Sequence, residues 1–237
     1  MKHIRIFKLV ILLFIVMISN ISYSQGIVVY KKDGSKVKIS YEKFDRIEVY
    51  TEEEDGNTTS DYNGHEYVDL GLSVKWATCN VGASSPEEYG KYYAWGELST
   101  KDEYTKDNCK NRNKYISDFS GDIKYDVATK DWGGNWRIPT KAEFQELIDN
   151  CTWIWTSING YSGYMVISKI NDNSIFIPAA GFRYMDPYSQ GKSGDYWSST
   201  PSENKDTSAY ELFFYDDTLE VRGSDRLTGE CIRPVFE

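Results

Sequence analysis

Residues 132–144, Trp-Gly-Gly-Asn-Trp-Arg-Ile-Pro-Thr-Lys-Ala-Glu-Phe, constrain the chain most, because a glycine turn runs directly into a helix start. Thr140 and Glu143 form a capping box: hydroxyl and carboxylate each satisfy a backbone N–H that the first helical turn leaves unpaired. The spacing predicts a helix over about 140–150. Phe144, Leu147, Ile148 and Cys151 fall at i, i+3, i+4 and i+7 on one apolar face, while Lys141, Gln145, Glu146 and Asp149 take the wet side. Around this helix the remaining sequence reads as short strands.

Three segments precede the main domain. Lys2, Arg5 and Lys8, an apolar run from Leu9 to Ile18 and the Ser22-Tyr23-Ser24 site compose a secretory signal peptide over 1–24, with cleavage after Ser24. The run is short for a membrane span, which needs ~20 residues. Residues 25–50 form a small β-hairpin unit: Gly26–Tyr30 reads as a strand and Lys36–Ser40 as an alternating return strand, joined by the turn Lys32-Asp33-Gly34-Ser35. Tyr41–Arg46 is expected as a helical turn and Ile47–Tyr50 as a third strand. Residues 51–63 carry a run of acids without apolar periodicity, which predicts a linker.

The domain proper is expected over 64–237. His65 to Asn80 reads as two strands around Gly71, and Tyr92–Glu97 as a short apolar segment. Residues 101–130 are polar and read as a long surface excursion. After the helix, strands are expected at 152–156, 164–167, 174–178, 195–200, 209–214 and 231–235, with turns at Asn159-Gly160 and Asn171-Asp172-Asn173. Many short strands with one helix define an α+β fold class.

Removing the signal takes three of the 27 basic residues and no acid, so the formal charge goes from −9 to −12. Such a chain repels phosphate backbones, which excludes nucleic acid as a partner, and no integral membrane span is expected. Four cysteines, Cys79, Cys109, Cys151 and Cys231, survive processing. An oxidising compartment makes disulfides the default, and the sequence does not choose among the pairings.

Six blocks occur in order: Trp-Ala-Thr-Cys-Asn-Val-Gly at 76–82, Tyr-Tyr-Ala-Trp-Gly-Glu at 92–97, Trp-Gly-Gly-Asn-Trp-Arg-Ile-Pro-Thr at 132–140, Pro-Ala-Ala-Gly-Phe-Arg at 178–183, Tyr-Trp-Ser-Ser-Thr at 196–200 and Ile-Arg-Pro-Val at 232–235. Together they resemble the Fibrobacter succinogenes major paralogous domain family, common in exported Bacteroidetes proteins. The resemblance implies a C-type lectin-like mixed β domain with long loops and neighbouring termini. It also implies a staple from Cys151 to Cys79 or to Cys231, Cys79 being preferred because relatives carry both of the blocks concerned. A staple would contribute ~3 to 4 kcal/mol. The same block at 137–144 is more distantly similar to formylglycine-generating enzymes, but the capping box and an apolar Phe144 account for it without catalysis.

The residues point away from the commoner chemistries. His65 is the one histidine of the mature chain and stands at the domain edge, with no nucleophile elbow anywhere. No Cys or His pairs have zinc-ligand spacing. A formylglycine-type oxidase needs a late cysteine pair, and Cys231 stands there alone. The lectin triplets Glu-Pro-Asn and Trp-Asn-Asp are absent, so no cofactor is expected; calcium is left open and nothing indicates it. Tyr184, Tyr188, Gln190, Tyr196 and Trp197 lie in or beside a Gly/Ser-rich loop and are the expected ligand contacts, since rings there stack on sugars or anchor peptides.

The expectation is therefore an exported, non-enzymatic binding protein of the periplasm, outer-membrane surface or medium, recognising a glycan or surface protein through the loop face of a lectin-like domain. The alternative is a structural or adhesive surface component that uses the domain as a display unit. An enzyme of the formylglycine-generating type ranks last.

Overall fold

The computed structural model describes residues 59–203, 206–215 and 217–237 in full, together with the backbone of 26–30 and 36–40. The chain divides into two compact units, Met1–Glu53 and Glu54–Glu237. In the first, β1 (Gly26–Tyr30) and β2 (Lys36–Ser40) pair antiparallel from Gly26↔Ser40 to Tyr30↔Lys36, as the alternation predicts. The expected signal segment, the turn at 32–35, the helical turn and the third strand lie outside the described residues.

The second unit opens with β3 (Thr59–Tyr62) and β4 (His65–Val68), joined by Asn63-Gly64. Both turn residues have positive φ, 57° and 77°, which is the primed geometry that suits strand twist. Thr59–Tyr62 corrects the expected linker. All four of its residues are exposed, so an edge strand here leaves no apolar alternation to read. β5 (Lys75–Ala77) follows and pairs with β4.

Residues 101–130 correct a second expectation. Instead of a surface excursion, the segment contributes Tyr104, Asn111, Ile116, Phe119 and Asp126–Ala128 to the interior. It ends in a helix the sequence reading lacked, α1 (Val127–Trp132). Asp126 caps it with one oxygen on the Thr129 N–H at 3.0 Å, and the other accepts from the N–H groups of Gly121 at 2.9 Å and Ile138 at 2.8 Å. One buried carboxylate thus ties helix, loop and the next strand together. That strand is β6 (Trp136–Arg137).

α2 (Lys141–Asn150) starts on the predicted capping box. The Glu143 N–H donates to Thr140 Oγ1 at 3.3 Å and the Thr140 N–H to Glu143 Oε2 at 2.7 Å. Arg137 then clamps the same carboxylate through both terminal nitrogens, at 3.0 and 2.6 Å. Phe144 and Leu147 are buried as the periodicity requires.

β7 (Cys151–Ile158), β8 (Tyr161–Ser168) and β9 (Ser174–Pro178) form a three-stranded antiparallel sheet with the predicted Asn159-Gly160 turn. β10 (Phe182–Arg183) and β11 (Pro187–Tyr188) make a two-stranded arm. β12 (Gly194–Pro201), β13 (Ser208–Phe214) and β14 (Leu219–Asp225) make a second three-stranded sheet, whose last strand the sequence reading lacked. The final strand, β15 (Val235–Phe236), inserts between β5 and β6, completing the order β3-β4-β5-β15-β6. The domain's first and last strands therefore share one sheet.

Strands dominate and helices are few, an α+β or mainly β architecture. One apolar cluster gathers Trp76, Phe144, Leu147, Val166, Ile177, Tyr196 and Phe214, where α2 packs on β7, β12, β13 and β14. A second gathers Trp95, Phe119, Trp132, Trp136, Trp197, Ile232 and Phe236. Aromatic burial of this kind supplies much of the driving force for a chain whose mean hydropathy is only −0.56. Among the described residues no helix is long and apolar enough to cross a membrane.

Candidate binding surface

The six sequence blocks meet in the interior. The Ala77 N–H donates to Pro234 O and the Val81 N–H to Ile232 O, each at 3.0 Å, which joins the first block to the last. Trp197 Nε1 donates to Tyr93 O at 2.9 Å, and Trp95 Nε1 to Ser198 O at 2.9 Å. The Ser199 N–H donates to Pro139 O at 2.9 Å, and Tyr92 Oη to Ala180 O at 2.6 Å. The recognisable sequence is thus the scaffold, and contact with a ligand has to be sought between the blocks.

Two of the five expected contact residues are removed by this packing. Tyr196 is fully enclosed, its hydroxyl donating to Pro178 O at 2.6 Å, and Trp197 is buried against the second cluster. β12 forms as expected but is covered along nearly its whole length although it lies at the edge of the β12-β13-β14 sheet, because residues from outside that sheet pack over it. Tyr196 and Trp197 are core residues, which corrects their expected role.

The other three sit on the β10–β11 arm. Tyr184 is 42% exposed, Met185 59% and Tyr188 63%. The arm's base is fastened on several sides. The Arg183 and Gly229 backbones exchange hydrogen bonds at 2.7 and 2.8 Å, the Tyr104 N–H donates to Tyr184 O at 2.6 Å, and the Gly181 N–H to Ser193 O at 2.7 Å. Gln190 Nε2 donates to Tyr92 Oη at 2.7 Å, fixing the strand exit. The Phe182 and Tyr188 rings pack at 5.2 Å, which holds Tyr188 upright. Gly181 adopts φ +59°, and a Cβ there would meet the Tyr188 carbonyl, so only glycine lets the arm fold back on its root. A fastened base with uncovered rings at its end is suited to stacking on a sugar face or seating an apolar peptide side chain, with little conformational entropy lost on binding.

The cysteines do not form the expected disulfides. Cys231 is buried with its thiol donating to Tyr89 O at 3.1 Å, Cys109 points at Arg226 O at 3.5 Å, and Cys79 lies 3.6 Å from Thr78 Oγ1. Cys151 is buried at the head of β7. The default drawn from compartment alone gives way to a fold in which the thiols of Cys79, Cys109 and Cys231 face three different neighbours. Burial pushes the Cys151 thiol up to about 11 and raises those of Cys109 and Cys231 as well, which suppresses the nucleophilic thiolate.

A buried acid cluster escaped the sequence reading. Asp195, Glu211 and Glu230 are each at most 3% exposed, and burial raises all three, Asp195 to about 6 and Glu211 to about 7. Neighbouring negative charge adds to the rise at Glu211 and Glu230. Arg222 Nε holds Glu211 Oε1 at 2.8 Å, Ser193 holds Asp195 at 2.7 Å and Ser224 holds Glu230 at 2.7 Å. No local pattern marks Glu211, since β13 is buried on both faces, with Ala209 and Glu211 on one and Leu212 and Phe214 on the other. His65 stacks on Trp132 at 3.7 Å, and burial lowers its pKa. Asn171 and Asn173 serve their turn, both side chains donating to Asp69 O.

Two open clefts indent the surface. One of about 400 Å³ is lined by Ser120, Thr129, Asn135, Arg137, Thr140 and Glu237. The other, about 370 Å³, is lined by Lys110, Lys114, Lys124, Lys130, Tyr125 and Glu97 among others. None of the raised acids or thiols lines either cleft. Comparison with protein families, with curated proteins and with solved structures returns no match.

Proposed function

We propose that the chain is an exported, non-enzymatic binding module with a C-type lectin-like fold of the Fibrobacter succinogenes major paralogous type, recognising a glycan or surface protein through its loop face. The observation that carries this reading is the β10–β11 arm, which leaves Tyr184, Met185 and Tyr188 exposed on a base fixed by backbone hydrogen bonds. A display unit would have no need of three large uncovered side chains on one short arm. The family resemblance draws support from the six blocks bonding to one another in the core, and the lectin-like reading from the sheet that joins the first and last strands.

The test is a glycan array probed with the exported chain, expected to begin at Gln25, in calcium and in chelator. Binding that survives chelator and disappears in Tyr188→Ala, with the thermal transition unchanged, supports recognition through the arm. A blank array in both conditions, with no capture of surface proteins from the same cell envelope, moves the reading to a display unit.

A further inference from the structure

We propose that the cleft between Lys110, Lys114, Lys124 and Lys130 is a subsite for an anionic sugar, one bearing a carboxylate or a sulfate. This goes beyond recognition through the arm, with which the cleft shares no lining residue, and rests on that reading for the expectation of a glycan ligand. The chain carries a net charge of −9, yet four lysines line one open cleft of about 370 Å³. They come from three separate stretches of chain: Lys110 and Lys114 flank the buried Asn111, Lys124 precedes the ring of Tyr125, and Lys130 stands in the last turn of α1. Bringing four like charges together is unfavourable unless an anion neutralises them.

The protein itself supplies little neutralisation. The one acid in the lining, Glu97, is buried and already committed: both its oxygens lie 2.9 Å from Lys101 Nζ, and Oε1 accepts the Lys110 N–H at 2.7 Å. Among the described residues Lys114 Nζ reaches the neutral Asn111 Oδ1, at 3.4 Å, and no carboxylate. Lys130 meets Asp131 at 3.6 Å with both side chains 44% exposed, a weak pair. Asp122 is turned to the Lys124 backbone N–H, at 3.0 Å. Among the described residues Lys110 and Lys124 have no ion pair.

The shape and chemistry then select the ligand. Tyr125 is half-buried, its ring 5.9 Å from that of Phe119 and tilted 44° to it, which leaves part of an anchored ring at the cleft for packing against a pyranose. Lysine ammonium groups act as point charges and accept carboxylate or sulfate alike. The negative field of the remaining surface disfavours a long polyanion, so the cleft is matched to a single charged residue or a short oligosaccharide end.

Calorimetric titration of the purified exported protein with digalacturonate, a sulfated disaccharide and neutral digalactose tests this directly. Expected is saturable binding of one or both anionic probes and none of the neutral one. Affinity should weaken about tenfold or more between 20 and 300 mM NaCl. The double variant Lys110→Gln, Lys124→Gln should lose about fivefold or more, and Tyr125→Leu should lose affinity for the sugars while sodium sulfate stays weak. Because the lysines are exposed, folding is undisturbed, and a thermal scan verifies it. Equal binding of digalactose, equal binding by the lysine double variant, or sodium sulfate binding as tightly as the sulfated disaccharide would each overturn the assignment. Array binding of neutral glycans that depends on Tyr188, with no binding of either anionic probe, sinks this subsite while leaving the arm's function standing.

Discussion

Arg233 donates through Nε to the side-chain oxygen of Asn80 at 2.8 Å, across 153 residues of sequence and with both residues fully buried. The same guanidinium reaches Ala77 O at 2.9 Å and Phe176 O at 3.0 Å, and also bonds Thr78 O. One side chain therefore holds the end of β5, the loop after it, β9 and the C-terminal segment. Its partners are neutral oxygens, and burial accordingly lowers its pKa. Only a planar fork with five donors satisfies so many acceptors at once.

Arg233→Lys keeps the charge and loses the fork. Stability to urea is expected to fall by about 3 to 5 kcal/mol, because the carbonyls and Asn80 are left without donors. Arg233→Met should be comparably costly, which separates loss of hydrogen bonding from loss of charge. A drop below about 1 kcal/mol in either variant contradicts the reading of Arg233 as the clamp.

The acid cluster makes stability depend on pH. Glu211 and Asp195 have folded pKa values raised to about 7 and about 6 from ordinary values of 4.5 and 3.8, so the native state binds protons that the unfolded chain has released. The resulting stabilisation is fully present below about pH 4 and is lost as pH rises through 6 to 7. Unfolding free energy should therefore decline between pH 5 and pH 8. Glu211→Gln removes much of that slope and adds on the order of 2 kcal/mol at pH 8. A flat profile for the parent chain over that range would show that the cluster is not protonated in the folded state.

Gly194 pairs with Phe214 across β12 and β13, and a Cβ at 194 would enter the Phe214 ring. Gly194→Ala must displace a ring at the centre of the first core cluster, so a loss of about 2 to 3 kcal/mol in chemical denaturation is expected. Phe214→Leu in the same background frees space and should recover part of it. No recovery would mean the strain lies elsewhere.

The α2 capping box makes a smaller and more local prediction. Thr140→Ala removes the acceptor for the Glu143 N–H and should cost about 1 kcal/mol. Glu143→Gln also loosens the Arg137 clamp, whose two contacts lie at 3.0 and 2.6 Å, and should cost more. Hydrogen exchange at the first turn of α2 reports both; equal protection in parent and variants contradicts it.

How much of this was legible in the sequence depended on whether a signal was local. The capping box, the Asn159-Gly160 turn and the short apolar strand Ser174–Pro178 act within a few residues, and all appear where they were expected. The strand Thr59–Tyr62 was hidden because an exposed edge has no apolar alternation, and α1 because its buried stripe is only Val127, Ala128 and Trp132 behind a polar run. Burial of Tyr196 and Trp197 depends on β12 being covered by distant partners, which no local pattern records. The acid cluster and the lysine-lined cleft are likewise products of tertiary assembly: Glu211 and Glu230 are nineteen residues apart in sequence, and Lys110 and Lys130 twenty. Tyr184 and Tyr188 are exposed, in keeping with the short loop-rich stretch that holds them, while Gln190 is turned to the Tyr92 hydroxyl.

The most direct test of the account is a side-by-side glycan array and envelope-protein capture with the chain from Gln25 onward and its Tyr184→Ala, Tyr188→Ala double variant, both verified by thermal unfolding. Exposed rings on a fastened arm predict that the parent binds at least one immobilised ligand and that the double variant loses about tenfold or more in affinity at unchanged stability. Undiminished binding by the double variant would contradict recognition through the arm.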